Sequence, residues 1–278
     1  VSIAGLQNAT VSNTISSVDA KFIIPTTPID PPTISMSFSV NDSPFCGKSG
    51  KKLTSRMIYD WLNKEAETNV SIKIKISEDG NYYEVSGRGE LQLGILIENM
   101  RREGFELSVG RPKVIFKTSE TGEKLEPIEE VIIDVDTVYS GIVIEKLSYR
   151  KGELSNMDSM PGDKTRLTFL CPSRGLIGYR NEFLTDTRGT GILNKSFHSY
   201  VPYKGHIEGR KNGVLISNGT GQSTAYDLAD MEERGILFIG AGEQVYEGQI
   251  IGQHNRDNDL RVNVIKGKKL TNMRSKSS

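Results

Sequence analysis

Few residues in this sequence are suited to covalent or metal chemistry. It contains two cysteines, three histidines and one tryptophan among 278 residues. Cys46 and Cys171 lie far apart, so they make neither a disulfide framework nor, with the scattered histidines, a zinc-ligand pattern. The G-x-S-x-G turn of serine hydrolases is missing as well. The sequence therefore predicts no catalytic residue and no metal site, and two lone thiols favour a cytoplasmic location.

Long apolar runs are also missing. No stretch approaches the roughly 18 apolar residues that a membrane-spanning helix needs. The first residues, VSIAGLQNATVSNT, have neither the basic start nor the apolar run of a signal peptide. The chain has no initiator Met, and its first residues read as the middle of a longer sequence pattern. We therefore expect that it is part of a longer protein. Because it has neither a membrane-spanning run nor a signal peptide, we expect no membrane partner.

Net charge is absent, because Lys plus Arg and Asp plus Glu number 35 each. The basic residues are nevertheless clustered in three places, the strongest being a C-terminal stretch without acids. Such clusters attract phosphate, although a solvated chain end is the alternative for the last one. The candidate RNA-binding residues are Lys266, Lys268, Lys269, Arg274 and Lys276, then Arg210 and Lys211, and then Arg256 and Arg261.

The proline-rich segment IIPTTPIDPPT, residues 23–33, predicts a linker, because proline fixes φ and removes a backbone donor. The predicted domains are residues 1–32 (strand remnants and the linker), 33–111, 112–202 and 203–278. In the second and third, period-2 and helical patterns alternate as strand, helix, strand, strand, helix, strand. That order is typical of a ferredoxin-like βαββαβ domain. We predict an α+β chain with two tandem ferredoxin-like domains and a small, mostly-β C-terminal domain.

Particular elements of these domains are also predicted. The alternating segments ISMSFSV (residues 34–40) and EVIIDVD (residues 130–136) predict strands. Residues 90–102 are amphipathic and predict a helix that ends with Gly104 as its C′ residue. Residues 174–187 predict a further helix.

Two glycine-containing motifs suggest nucleotide binding on first inspection. DSPFCGKS (residues 42–49) nearly matches a P-loop, but Asp42 replaces its first glycine and no helix follows directly. GTGQST (residues 219–224) precedes a helix, with Ser223 or Thr224 as the predicted N-cap, and could bind an anion there. A nucleotide-binding regulatory module therefore stays open as an alternative. So does a protein-interaction scaffold that uses exposed sheet edges, whereas an independent enzyme has the least support.

Longer segments resemble a known family in order and across essentially the whole chain. They are NDSPFCGKSGKKLTSR, VSGRGELQLGILIENMRREGFELSVGRPKVIFK, PSRGLIGYRNEF, NGVLISNGTGQ, VYEGQIIGQHNRDNDLRVN and GKKLTNMR. The chain resembles the C-terminal two-thirds of the BipA/TypA family of translational GTPases. The resemblance implies the end of a β-barrel up to about Thr33. It also implies two domains like domains III and V of elongation factor G, and a C-terminal domain peculiar to the family.

The same resemblance implies a function. Family members bind the 70S ribosome in the factor site and are linked to stress responses and to assembly of the large subunit. Their basic C-terminal loop, which matches Lys266–Arg274 here, lies against the tRNA acceptor arm and large-subunit rRNA. GTP and Mg²⁺ would belong to a GTPase domain outside this chain. The chain itself is expected to be monomeric and to hold no cofactor. SKSS after Arg274 departs from the family, and the chain stops earlier than family members do, so the C-terminal domain is expected to be truncated.

Overall fold

The computed structural model describes residue 5 and residues 13–22, 30–207 and 212–267. Most of the predicted barrel remnant and linker therefore lies outside the described residues. The chain divides into two compact units, Val1–Ile207 and Glu208–Ser278. Among the described residues, no helix is long and apolar enough to cross a bilayer.

The first half of unit 1, residues 30–114, follows the predicted alternation of strands and helices. Its elements are β1 (Ile34–Val40), α1 (Ser55–Thr68), β2 (Lys73–Ile76), β3 (Tyr83–Gly87), α2 (Glu90–Arg102), β4 (Leu107–Val109) and β5 (Lys113–Val114). The strands pair antiparallel in the order β2-β3-β1-β4. Strand β5 pairs with the start of β1, on the same side of β1 as β4. In β1 the alternation ISMSFSV buries Ile34 and Phe38 against the helices.

Local signals in the sequence account for the ends of these helices. Thr54 caps α1, accepting a hydrogen bond from the Met57 N–H at 3.3 Å. Gly104, with φ +84°, ends α2. Its N–H donates to the Arg101 carbonyl and the next N–H, of Phe105, donates to Met100, which is the Schellman arrangement. The predicted C′ glycine is therefore confirmed.

The second half of unit 1, residues 115–207, repeats the order with longer strands. Its elements are β6 (Lys117–Thr118), β7 (Lys124–Asp136), α3 (Ser140–Tyr149), β8 (Glu153–Met160), β9 (Lys164–Pro172), α4 (Ser173–Leu176), α5 (Tyr179–Asp186) and β10 (Ile192–Pro202). The strands pair antiparallel in the order β10-β7-β9-β8, and β6 pairs with the start of β7. The α+β class predicted from the sequence is confirmed.

One predicted helix is wrong in detail. The sequence predicts a continuous helix over residues 174–187, whereas the chain breaks between α4 and α5 at Ile177 and Gly178. Gly178 has φ +73°, a left-handed conformation that glycine adopts without strain. Its N–H donates to Glu90 Oε1 at 2.8 Å, and Ile177 packs against the core of the first half. The break therefore joins the two halves of unit 1.

A buried ion pair anchors the start of β7. The Arg174 guanidinium donates to both oxygens of Glu126, at 2.5 and 3.2 Å, and to the Gly205 carbonyl. Glu126 is 0% exposed and its Oε1 also accepts from the Lys204 N–H at 2.7 Å. The Arg174 guanidinium carbon lies 4.5 Å from the centre of the Tyr203 ring. The Arg174 side chain of α4 thus contacts both β7 and the segment after β10.

An ionic network also ties α3 to α5. Lys146 Nζ lies 2.7 Å from Glu182 Oε1 and 2.8 Å from Asp186 Oδ2, and Arg150 Nη2 lies 2.7 Å from Glu182 Oε2. Burial opposes ionisation of Glu182, but its two cationic partners outweigh that effect and lower the Glu182 pKa. A carboxyl whose pKa is lower in the folded state stabilises the fold above its unfolded pKa. That stabilisation is lost as pH falls through the folded pKa.

Unit 2 is mostly β in its described part. Its elements are β11 (Val214–Ser217), β12 (Gly221–Gln222), α6 (Ala225–Glu232), β13 (Gly235–Leu237), β14 (Gln244–Val245), β15 (Ile250–His254) and β16 (Leu260–Val262). One sheet has the order β13-β15-β11-β16, in which β11 and β16 run parallel, and β12 pairs with β14. In the core, Leu215 of β11, Ile251 of β15 and Val264 pack with Leu228 and Met231 of α6.

Candidate nucleic-acid interface

The predicted basic C-terminal stretch begins at a well-anchored point. The Val264 side chain is fully buried, and its carbonyl accepts from the Thr224 N–H at 2.9 Å. On the other side, the Gly267 N–H donates to Asp227 Oδ2 at 2.8 Å. Lys266 lies between these two anchors and is exposed. The other predicted residues of the stretch, Lys268, Lys269, Arg274 and Lys276, lie outside the described residues.

The remaining predicted arginines of unit 2 are exposed but not concentrated. Arg256 lies in the loop after β15, where its carbonyl accepts from the Gly213 N–H at 2.6 Å. Arg261 lies on β16, and its Nη1 is 4.0 Å from Glu247 Oε1, with both side chains about two-thirds exposed. An ion pair this exposed contributes little to stability. Arg210 and Lys211 lie outside the described residues.

The described part of unit 2 carries more acid than base. Residues 212–267 contain eight Asp and Glu but only four Lys and Arg. Asp257 and Asp259 lie in the same loop as Arg256, so Arg256 and Arg261 do not form a basic patch by themselves. The basic residues of unit 2 are therefore concentrated in the sequence at 210–211 and 266–276.

The start of α6 is already occupied by the protein's own groups. Thr224 is the N-cap, as predicted, and its Oγ1 accepts from the Asp227 N–H at 3.2 Å. The Thr224 hydroxyl donates to Asp227 Oδ2 at 2.8 Å, the same oxygen that accepts from Gly267. A carboxylate thus lies at the positive end of the helix, where it stabilises the helix dipole and repels a phosphate.

The P-loop-like segment is occupied in the same way. Glu106 reaches into the loop and accepts backbone hydrogen bonds from Gly47 at 2.7 Å, from Gly50 at 2.7 Å and from Ser49. The Asn41 amide adds a fourth bond at 3.3 Å. The Gly47 N–H and the other donors lower the Glu106 pKa. The amides that would cradle a nucleotide phosphate in a P-loop hold a carboxylate of the protein instead, which counts against nucleotide binding here.

The histidines and cysteines of the described residues do not come together in a site. His254 is buried and its Nδ1 lies 2.6 Å from the Asn258 carbonyl, whereas His198 and His206 are exposed. Both cysteines are free, Cys46 exposed and Cys171 buried. Within the part of the chain that the structure describes, no group of three His, Cys, Asp or Glu is placed to hold a metal ion.

Sequence reasoning missed two groups of aromatic and basic residues in unit 1. Phe116, Lys124 and Tyr203 meet on one face of the sheet formed by β6, β7 and β10, and Lys117 lies over the Tyr200 ring on the opposite face. The adjacent pairs Phe116-Lys117 and Tyr203-Lys204 were the available signal. They are separated by almost ninety positions, so nothing in the sequence alone indicated that they come together.

The chain is similar to known proteins over almost its whole length. Residues 123–211 match the family model for the elongation factor G C-terminus, and residues 212–278 match the one for the TypA/BipA C-terminal domain. Large ribosomal subunit assembly factors named BipA, from Escherichia coli K12 and Salmonella typhimurium LT2, are 51% identical over 276 residues, or 99% of this chain. A relative of the same name from Buchnera aphidicola subsp. Schizaphis graminum is 52% identical over the same length.

The chain belongs to the BipA/TypA family. It spans about half the length of the curated relatives that it matches, covering 45% of each of those three, so the two-thirds that the resemblance suggested is too large. The two matched family models together cover residues 123–278, and sequence identity to the BipA proteins extends the match over the first half of unit 1.

Proposed function

We propose that this chain is a ribosome-binding part of a BipA/TypA translational GTPase that acts in assembly of the large ribosomal subunit. The observation that carries the proposal is 51% identity, over 99% of the chain, to proteins named for large-subunit assembly. In this proposal both halves of unit 1 are ferredoxin-like domains, which the strand orders β2-β3-β1-β4 and β10-β7-β9-β8 support. They act as a spacer, and unit 2 makes the principal RNA contact.

The RNA contact is proposed for the basic stretch after β16. Lys268, Lys269 and Arg274 are its principal residues, with Lys266 and Lys276 beside them and Arg210, Lys211, Arg256 and Arg261 as secondary contacts. Each lysine or arginine that neutralises a phosphate releases counterions, so affinity falls steeply with salt. The acidic body of unit 2 supports this assignment, because it leaves the stretch as the place where phosphate is attracted. The partners are 70S ribosomes, large-subunit rRNA and the tRNA acceptor arm.

The remaining parts of the proposal follow from the family. The chain works as a cytoplasmic monomer and contributes to growth under stress. It uses no cofactor of its own, because GTP and Mg²⁺ are held by a GTPase domain. Glu106 in the P-loop-like segment and Asp227 at the start of α6 support the view that these residues do not bind nucleotide.

Co-sedimentation with purified 70S ribosomes and separate subunits, over a salt series, tests the proposal. We expect salt-sensitive pelleting with 70S ribosomes and the large subunit. Reversing Lys268, Lys269 and Arg274 to glutamate should abolish pelleting at moderate salt. The matched control reverses Lys73, Lys75 and Lys164, three exposed lysines on strands of unit 1.

Three results would contradict the proposal. Equal losses from both triple variants would show that only general charge matters. Unchanged pelleting of the first variant would exclude the basic stretch as the contact. Pelleting that survives high salt would favour the scaffold alternative, in which protein partners bind sheet edges.

A further inference from the structure

The unit 2 sheet has an open edge at β13. The strand order is β13-β15-β11-β16, so β13 pairs with β15 on one side and, among the described residues, with no strand on the other. The Phe238 N–H donates to the Ile251 carbonyl of β15 at 2.8 Å. Successive residues of an antiparallel strand direct their backbone groups alternately toward the neighbouring strand and away from it. The N–H and C=O groups of Leu237 and Ile239 therefore point to the open edge.

The side chains of this edge are apolar and unprotected. Ile236 is 65% exposed and Phe238 is 61% exposed, whereas Leu237 between them packs on the core of unit 2. Edge strands are usually protected by charged side chains or by proline, which prevent another strand from pairing with them. Residues 235–239 contain neither. Strand β13 is therefore suited to pairing with a further strand.

A groove of about 510 Å³ lies beside this edge, between β13 and α6. All of its lining residues lie between positions 225 and 241, so it opens at the edge and not over the middle of the sheet. A strand added to β13 would direct every second side chain toward this groove and the others toward Ile236 and Phe238. The small and apolar side chains that line the groove are those of Ala225, Leu228, Ala229, Leu237 and Ile239.

The two ends of the groove are acidic. Glu232 lines the groove where α6 ends. Glu243 lies at the other end, where its Oε1 accepts from the N–H of the lining residue Gly240 at 2.8 Å. Both carboxylates are exposed, and within the described part of the chain neither is paired with a lysine, arginine or histidine. An apolar groove thus lies between two unneutralised negative charges.

These charges distinguish between possible occupants. An RNA strand would bring its phosphates close to the two carboxylates and would be repelled. A second copy of the chain, pairing β13 with β13 about a twofold axis, would bring Glu232 of one copy to the Glu243 end of the other, which is also repulsive. A protein segment with lysine or arginine at both ends would neutralise the carboxylates while its apolar residues fill the groove.

We propose that the open edge of β13 and the groove beside α6 form a docking site for an extended segment of a partner protein, with alternating apolar residues and basic residues at both ends. The segment adds a strand to the sheet through the backbone groups of Leu237 and Ile239. The site is separate from the proposed RNA contact, because the basic stretch begins at Gly267, which is bonded to Asp227 on another side of α6.

Fluorescence anisotropy of the 278-residue chain with a labelled peptide tests the site. The probe is Lys-Lys-Val-Thr-Val-Thr-Val-Lys-Lys, and the same peptide with glutamate in place of every lysine is its control. We expect binding of the basic peptide alone. N-methylation of alternate peptide nitrogens should abolish binding for one of the two possible sets and spare the other, because only one edge of an added strand faces β13.

Two variants test the apolar part of the site. Ala229→Gln fills the groove with an uncharged side chain, and Ile236→Lys places a positive charge on the edge. Each should weaken peptide binding by about tenfold or more. Both residues are exposed, so the circular dichroism spectrum and the urea midpoint should stay those of the unmodified chain.

A third variant tests the charges. Glu232→Gln with Glu243→Gln should weaken binding about fivefold at low salt, and should bind as the unmodified chain does near 1 M salt, where the screening length is about 3 Å. The glutamine oxygen at position 243 still accepts from the Gly240 N–H. The matched control, Glu247→Gln with Asp257→Asn, removes two exposed acids outside the groove and should leave binding unchanged at every salt concentration.

Several outcomes would overturn the inference. Failure of the basic peptide to bind, or binding that neither the variants nor either N-methylated set weakens, would exclude the edge as the site. A dimer of the unmodified chain that Ile236→Lys dissociates, measured by sedimentation equilibrium, would make a second copy the occupant. Tighter peptide binding after reversal of Lys268, Lys269 and Arg274 to glutamate would make the chain's own basic stretch the occupant. Absence of binding by the longer protein of which this chain is proposed to be a part would assign the edge to another segment of that protein.

Discussion

Replacing Arg174 with methionine should destabilise unit 1 strongly. The substitution keeps a flexible side chain of similar length but leaves the fully buried Glu126 carboxylate without its cationic partner. Removing one member of a buried pair costs about 3–5 kcal/mol. We expect the lower end, about 3 kcal/mol, because the Lys204 N–H still donates to Glu126 and Arg174 is itself 14% exposed. For a unit of this size that corresponds to a melting temperature about 6–12 °C lower.

Urea unfolding followed by circular dichroism and by tryptophan fluorescence measures this effect. The only tryptophan, Trp61, lies on α1 and packs edge-on against Phe105, so its fluorescence reports on the other half of unit 1. Because the break at Gly178 joins the halves, both signals should shift together. The double variant Arg174→Met with Glu126→Leu removes the stranded charge and should recover most of the lost stability. A loss below about 1 kcal/mol for Arg174→Met, or no recovery in the double variant, would refute the argument that the pair is desolvated.

Two further predictions concern carboxylates. The urea concentration at the midpoint of unfolding should fall as pH drops below the ordinary glutamate pKa, about 4.3. The variant Glu182→Gln should have a lower midpoint at pH 7, and its midpoint should depend less on pH. An unaltered pH profile in that variant would mean that the pairs with Lys146 and Arg150 do not stabilise the fold. Glu106→Ala should speed amide hydrogen exchange in the P-loop-like segment without creating affinity for GTP, measured by calorimetry; unchanged exchange would contradict the assigned hydrogen bonds.

The sequence predicted most of unit 1 because its local signals agree with the fold. The alternation of ISMSFSV predicted β1 to the residue, and Gly104 correctly predicted the end of α2. Strand ends were less predictable: β7 begins at Lys124, whereas its apolar alternation starts near Glu130. Residues 124–129 are held by pairing with β10, which no local pattern encodes.

For the candidate site, sequence and structure contributed different information. The positions of the basic residues, the family and the defect of the P-loop-like motif could be read from the sequence, because they depend on residue identity and spacing. The tertiary structure decided which charges are neutralised. It brings Glu106 into the loop at Gly47 and Glu126 onto Arg174, and it leaves Lys117 and Lys124 unpaired beside aromatic rings. These contacts join residues tens of positions apart, so they depend on strand register and packing, which the sequence specifies only through the whole fold.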